Sequence, residues 1–313
     1  MAEPDLFLFL GDAIYGDFDG ERAYDATVES LRREWQVLAD NRDFAAFRDR
    51  VPILSTWDNH DYGRHDGGAE FALKDASKEI FLDFFSEPAD SERRTQRGIY
   101  TSRIFGPPGR RVQIILLDTR YNRGPALRDQ RTTEERASVG LTGSLGSHLP
   151  NEDPEVTLLG PDQWGWLKRE LQWAAEVRLI VSSTQIVPDQ KGMDEWGNYP
   201  LERRRLFELI DLTAAEGVVV LSGNVHFAEA SRTEEGPYPL YDFTSSGLTH
   251  TEAAYAEAEN PYRVAGPFAG LNFGLVEIDW QASPAATIRF EARDVTGATV
   301  FDHGVSLGDL RTG

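Results

Sequence analysis

The chain has 313 residues, 32 Lys+Arg against 52 Asp+Glu, a formal charge of −20 and no cysteine. That length suits one large or two ordinary domains able to bury a core unaided, and the absent thiols exclude disulfides, cysteine-ligated zinc, iron–sulfur clusters and a thiol nucleophile. The acidity argues against a polyanion binder, which needs a basic face, so no nucleic-acid partner is expected. No apolar run approaches the ~20 residues of a membrane span. The opening residues 1–5 carry no basic side chain, and the apolar run 6–10 is too short for a signal peptide. As it stands, the sequence reads as cytoplasmic.

In chain order, short apolar runs end in polar, often acidic residues. Residues 6–10 run into Gly11-Asp12, 51–55 into Thr56-Trp57-Asp58, 112–117 into Asp118, 178–181 into Ser182-Ser183, and 218–221 into Ser222-Gly223-Asn224. Such runs read as strands buried on both faces. Helical spacing of apolar side chains predicts helices over 22–48 (Val28, Leu31, Trp35, Leu38), 70–85, 161–175 and 201–215 (Leu206, Leu209, Ile210, Leu212). Alternation of the two element types means an α/β core. Residues 273–280, 286–294 and 299–307 alternate apolar and polar between Pro or Gly turns, which predicts antiparallel strands. Residues 87–98 and 124–158 read as loops, the second long enough to be functional or mobile. The sequence predicts one domain over 1–313, with a core to 270 and terminal strands over 271–313.

Three strand ends carry ligand-type chemistry, and open α/β sheets bind ligands at that edge. In Gly11-Asp12-Ala13-Ile14-Tyr15-Gly16-Asp17, the Asp12 carboxylate can bridge cations and the Tyr15 phenol is near enough to reach the same ion; the alternative is an acidic turn with Tyr15 in the core. In Asp58-Asn59-His60-Asp61, a histidine flanked by carboxylates suits proton donation; the alternative is an Asx-rich turn. His65, a little further on, is a site or a surface residue. In Asn224-Val225-His226, an extended backbone would aim amide oxygen and imidazole at one cation; a hydrogen-bonded core histidine is the alternative. Arg120 could hold an anionic oxygen bidentately or pair with a nearby carboxylate. Asp118 and His250 could orient ligands or simply pack. His148 and His303 read as exposed, and Trp164 and Trp166 as core.

The ordered set of motifs resembles the PhoD-like (alkaline phosphatase D / phosphodiesterase) branch of the calcineurin-like metallophosphoesterases. The resemblance is carried by Leu10-Gly11-Asp12-Ala13-Ile14-Tyr15-Gly16-Asp17, the Thr56–Gly68 stretch and Leu116-Leu117-Asp118-Thr119-Arg120-Tyr121. It continues through Leu159-Gly160, Gln163-Trp164, Ser182-Ser183-Thr184-Gln185, the Ser222–Glu229 stretch and Asp242-Phe243-Thr244-Ser245-Ser246-Gly247-Leu248-Thr249-His250. It implies a four-layer α/β fold, a two-sheet β core flanked by helices, and a multinuclear metal centre, iron and calcium foremost, with manganese, zinc or magnesium as alternatives. In family terms Asp12, Tyr15, Asp58, Asn59, Asn224 and His226 match metal ligands, and His60 the catalytic histidine. The implied reaction is hydrolysis of a small phosphate mono- or diester by metal-activated water, without a phosphoenzyme, with His60 and Arg120 assisting.

Two departures from the family pattern stand out. Family members carry an earlier strand ending in a Ser-Cys segment whose thiolate joins the iron site, and this sequence opens after it. Asn224 occupies the usual Asp position of a Gly-Asp-x-His segment, and an uncharged amide holds a cation less firmly. These departures predict either a chain shortened by a misplaced start or a weakly active relative, with a binding module that has lost catalysis as the alternative function. Family members are often exported through a twin-arginine signal, which this sequence does not show; oligomeric state is not legible.

Overall fold

The computed structural model describes residues 3–138 and 146–312. It opens with β1 (Phe7–Leu10), whose two faces both pack. Phe7 and Phe9 meet Phe47, Phe44 and Phe85 of the adjoining helices, while Leu6, Leu8 and Leu10 turn to the main core. The single helix expected over 22–48 divides into α1 (Val28–Asp40) and α2 (Arg42–Arg48). Thr27 and Ser30 cap the first reciprocally, and the Asn41 amide oxygen accepts the N–H groups of Asp43 and Phe44 to start the second. Then come β2 (Ile53–Thr56), the one-turn α3 (Asn59–Tyr62) and α4 (Lys74–Phe84). The 87–98 loop holds a short helix, α5 (Glu92–Thr95).

Next are β3 (Thr101–Phe105) and β4 (Val112–Leu116). In the long loop, residues 139–145 lie outside those described; the rest forms a small β5–β6 pair (Leu127–Arg128 and His148–Leu149) and α6 (Thr133–Ser138). The chain continues through α7 (Gly160–Glu170), β7 (Val177–Ser182), α8 (Pro200–Leu212) and β8 (Val218–Ser222). After β9 (Ala228–Thr233) and β10 (Leu240–Ser245) come α9 (Ala253–Ala256) and β11 (Arg263–Phe268). It ends with β12 (Asn272–Asp279), β13 (Thr287–Asp294) and β14 (Thr299–Ser306).

A seven-stranded mixed sheet, ordered β11-β9-β10-β8-β7-β4-β3, forms the centre. The neighbouring strands β4, β7, β8 and β10 run parallel; β3 pairs antiparallel with β4, β9 antiparallel with β10, and β11 antiparallel with β9. Every residue of β7 and β8 is buried, as their unbroken apolar runs predict. Strands β3, β9, β10 and β11 do not stand out in the sequence: β9 alternates small with polar residues, and β11 is interrupted by Gly266-Pro267. The parallel pair β1–β2 and the antiparallel sheet β12–β14 both contribute side chains to the apolar cluster of the central sheet, as Leu10, Leu54, Ile288 and Phe290 do. Helices α7 and α8 add Trp164, Leu167, Leu206 and Ile210 to that cluster. A second cluster, with Leu31, Trp35, Trp57 and Phe81, joins α1 and α4 to the turn that follows β2. The result is a helix–sheet–sheet–helix arrangement in which the parallel strands aim their C-terminal ends at one edge. No helix among the described residues is long and apolar enough to cross a membrane.

Candidate active site

The loops after β1 and β2 interlock first. Gly11 takes φ +106°, and a Cβ there would lie 2.4 Å from Asp58 Cβ, so only glycine lets the two loops approach this closely. The buried Asp61 carboxylate then ties them: Oδ2 accepts the N–H groups of Asp12 (2.5 Å) and Asp58 (3.0 Å), and Oδ1 that of Ile14 (3.1 Å). Asp61 therefore serves the backbone instead of facing a cation as its charge suggests. Asp12 itself adopts a left-handed conformation, φ 53°, and its Oδ1 accepts the His60 N–H. Side chains held in this region carry strain that surrounding contacts must enforce.

His60 is backed by a residue given no role at the sequence level. Its Nδ1 lies 2.5 Å from Oδ1 of Asp17, which is fully buried. Burial alone lowers the imidazole pKa. The Asp17 hydrogen bond and the charges of Asp12, Asp17 and Asp58 overcome it and raise the value to about 9, so the ring is cationic at neutral pH. With Nδ1 held by Asp17, the proton on Nε2 is the one the ring can deliver.

The Tyr15 ring packs at 4.2 Å on His60 and 4.4 Å on His250, and its phenol oxygen is 3.2 Å from His226 Nε2. Burial, reinforced by the surrounding carboxylates, pushes the Tyr15 pKa up; burial and the neighbouring His250 and His60 lower His226 to about 4. The two meet as a neutral phenol and a neutral imidazole. The 224–226 segment is not extended: Asn224 (φ 70°) and His226 (φ 59°) are both left-handed. The bend corrects the alternation argument. It sends His226 to Tyr15, while the Asn224 amide donates to the Asp194 carbonyl at 2.9 Å.

Asp58 and Arg120 form the third part. The Arg120 guanidinium is fully buried; Nε donates to Asp58 Oδ1 at 2.6 Å, Nη2 pairs with the same oxygen, and Nη1 reaches Asp194 at 2.7 Å. This is the carboxylate-pairing alternative for Arg120, and it corrects the expectation of an anion clamp: Nε is hydrogen-bonded to Asp58, Nη1 and Nη2 stand within ion-pair distance of carboxylates although neither makes a well-aligned hydrogen bond, and the whole group is shielded from solvent. Asp194 also takes Arg123 through Nη2 at 2.8 Å. Burial raises the Asp58 pKa to about 7, with Asp12 and Asp194 adding to the rise and Arg120 opposing it. Asp58 Oδ2 and Asn59 Oδ1 are buried acceptors with no hydrogen-bond partner.

Asp118 organises its own turn, accepting the indole N–H of Trp57 and the backbone N–H groups of Ile99, Arg120 and Tyr121. His250 is exposed beside Tyr15, and His65 is exposed with Nδ1 3.3 Å from the Asn59 amide nitrogen. His148 is buried, its Nε2 3.4 Å from Asp66, and His303 is half-buried on Tyr241, so neither is the exposed residue expected. Trp164 is core, as expected, with its N–H on Glu202. Asp17 sits inside the quoted Gly11–Asp17 motif and was legible there as a second acid five residues after Asp12; Asp194, in an unremarkable loop, had no sequence signal.

The donors gathered here are carboxylate, phenol, amide and imidazole, a set suited to hard or borderline cations. No group of three His, Asp or Glu side chains able to hold one ion occurs among the described residues. The fit to a metal centre rests instead on the mixed donor set and on the two partnerless buried oxygens of Asp58 and Asn59.

The site lies at the strand ends of an α/β fold, the edge at which open α/β sheets bind their ligands. The family model described as PhoD-like phosphatase matches residues 1–263, and the chain belongs to that family. A solved structure titled "Structure of PhoD" superposes with a TM-score of 0.72 at 19% identity, covering 99% of this chain and 66% of that one. The chain thus spans just under two thirds of that protein, and the likeness is one of fold. No curated protein matches the chain.

Proposed function

We propose that the chain is a metal-dependent phosphoesterase that hydrolyses phosphate mono- or diesters. The observation that carries the reading is the hydrogen-bonded His60–Asp17 pair standing beside the partnerless buried oxygens of Asp58 and Asn59. The residues that would hold the metals are Asp12, Tyr15, Asp58, Asn59, Asn224 through its amide oxygen, and His226. Iron and calcium are the family expectation; manganese, zinc and magnesium are the alternatives. When bound, such ions neutralise phosphoryl charge and activate water.

The chain's own residues do the remaining work. Asp17 fixes the His60 ring and keeps it protonated, and His60 Nε2 supplies a proton to the departing alkoxide. Arg120 holds one oxygen of Asp58 and leaves the other open. Asp61 sets the two loops that carry Asp12 and Asp58. Arg120 is in this reading a positioning residue for Asp58.

One observation favours a second reading, a catalytically impaired binding module. Asn224 contributes no charge, and Arg120 neutralises much of Asp58, so the donor set is less anionic than its carboxylates suggest. Elemental analysis of the purified protein, with turnover of p-nitrophenyl phosphate and bis(p-nitrophenyl) phosphate before and after chelation, separates the two. The phosphoesterase reading expects co-purified metal and chelator-sensitive turnover. A protein without metal and without activation by Fe, Ca, Mn, Zn or Mg leaves only the binding module.

A further inference from the structure

Next to the His60 site lies a cleft of about 490 Å³ lined in part by Arg64, His65, Asp66, Glu70 and Arg128. His65 joins it to that site: its Nδ1 is 3.3 Å from the Asn59 amide nitrogen, and its ring is stacked 5.8 Å from that of His60. A substrate with its reacting phosphate at His60 would extend its far end past His65 into this cleft.

The charges there are not equally committed. Asp66, left-handed at φ 50°, is already surrounded: Arg128 pairs with it, His148 Nε2 is at 3.4 Å and His65 Nε2 at 3.7 Å. Arg64 is different. Its closest carboxylates are Asp25 at 3.5 Å and Glu70 at 3.7 Å, at or beyond hydrogen-bonding range, and its side chain is 38% exposed. A permanently charged fork with no hydrogen-bonded acceptor among the described residues suits bidentate capture of a phosphate. Arg128, 41% exposed, adds a second guanidinium; among the described residues it pairs with Asp66, which it shares with His65 and His148, and Nη1 reaches the Ser147 hydroxyl at 3.4 Å.

We infer that this cleft is a subsite for a second phosphate on the same substrate, carried by the leaving alcohol and read by Arg64 with Arg128 beside it. The substrate class is then an ester whose leaving group bears a further phosphate, in preference to an ester of a neutral alcohol. The inference rests on the proposed function for the first phosphate and names the substrate class of that site.

The test measures binding apart from turnover. Calorimetry compares butylphosphonate with butane-1,4-bisphosphonate on the purified protein as isolated, alongside turnover of butyl phosphate and butane-1,4-diol bisphosphate. A charge-assisted contact predicts that the second anionic group tightens binding roughly 10- to 100-fold. Arg64→Gln and Arg128→Gln should each bring that ratio towards 1. Equal affinity for the two phosphonates, or a preference unchanged in both variants, overturns the subsite. Absence of turnover with either ester, while the affinity ratio persists, counts against the phosphoesterase reading and leaves the subsite standing.

Discussion

Replacing Asp194 by Asn probes the buried charge network behind the site. Asp194 is 7% exposed and bonds two guanidiniums that are themselves buried, Arg120 at 2.7 Å and Arg123 at 2.8 Å. The amide keeps the shape and removes the charge, so Arg123 loses its only ion-pair partner among the described residues and Arg120 keeps Asp58 alone. Removing one member of a buried pair costs about 3–5 kcal/mol. Asp58 offsets part of this, because loss of the Asp194 charge favours its ionised form. The expected loss is about 3 kcal/mol, a large share of the ~5–15 kcal/mol by which a domain is held folded. Burial raises the Asp194 pKa, but Arg120, Arg123 and His148 outweigh it and depress the carboxyl below its ordinary 3.8. Its stabilisation is therefore fully present above that value and lost as pH falls through the lower folded one. Urea unfolding should show a deficit that is smallest at about pH 8, grows as Asp58 protonates on passing through about 7, and narrows below about pH 4 as Asp194 itself protonates. A deficit below about 1 kcal/mol at pH 7, or one that fails to narrow below about pH 4, would refute the reasoning.

The His60–Asp17 pair carries the opposite sign: its stabilisation is complete below the ordinary 6.5 of histidine and is lost as pH rises through about 9, a difference of about 3 kcal/mol. Asp17→Asn in metal-stripped protein should remove most of that dependence, seen as a fall of the His60 imidazole titration by NMR; an unmoved midpoint contradicts it. Asp61→Ala leaves three backbone N–H groups without an acceptor and should cost at least about 3 kcal/mol in thermal unfolding. Gly11→Ala forces a Cβ to within 2.4 Å of Asp58, whereas Gly20→Ala meets nothing within 4 Å at a similar φ of +94°. Phosphate-ester turnover should fall roughly 100-fold in the first and persist in the second; equal rates would show that the Gly11 contact does not set the site.

The α/β architecture was legible because its signal is local. Uninterrupted apolar runs such as 218–221 can be satisfied only by burial on both faces, and periodic apolar residues such as Leu206, Leu209 and Ile210 by one helix face. Added strands were not legible where stability comes from neighbours. The Ala228–Thr233 strand is half polar and is held by pairing on both sides, with Leu240–Ser245 and Arg263–Phe268. The helix expected over 22–48 broke at Asn41 because an amide acceptor for two N–H groups outweighs continuity of the apolar stripe.

In the site, the residue order alone shows which strand ends carry ligand-type polar groups: Asp12, Asp58, Asn59, His60 and His226 all follow apolar runs. Tertiary structure alone decided how those groups are used. Arg120 became a partner of Asp58 instead of an anion clamp, Asp61 an acceptor for three N–H groups, and Asp17 the support of His60. Those outcomes depend on which groups meet across 43 to 62 residues of chain, as in Asp17–His60 and Asp58–Arg120. The reason is physical: a residue type sets what chemistry is available, but burial and the charge lying opposite set its protonation and its partner.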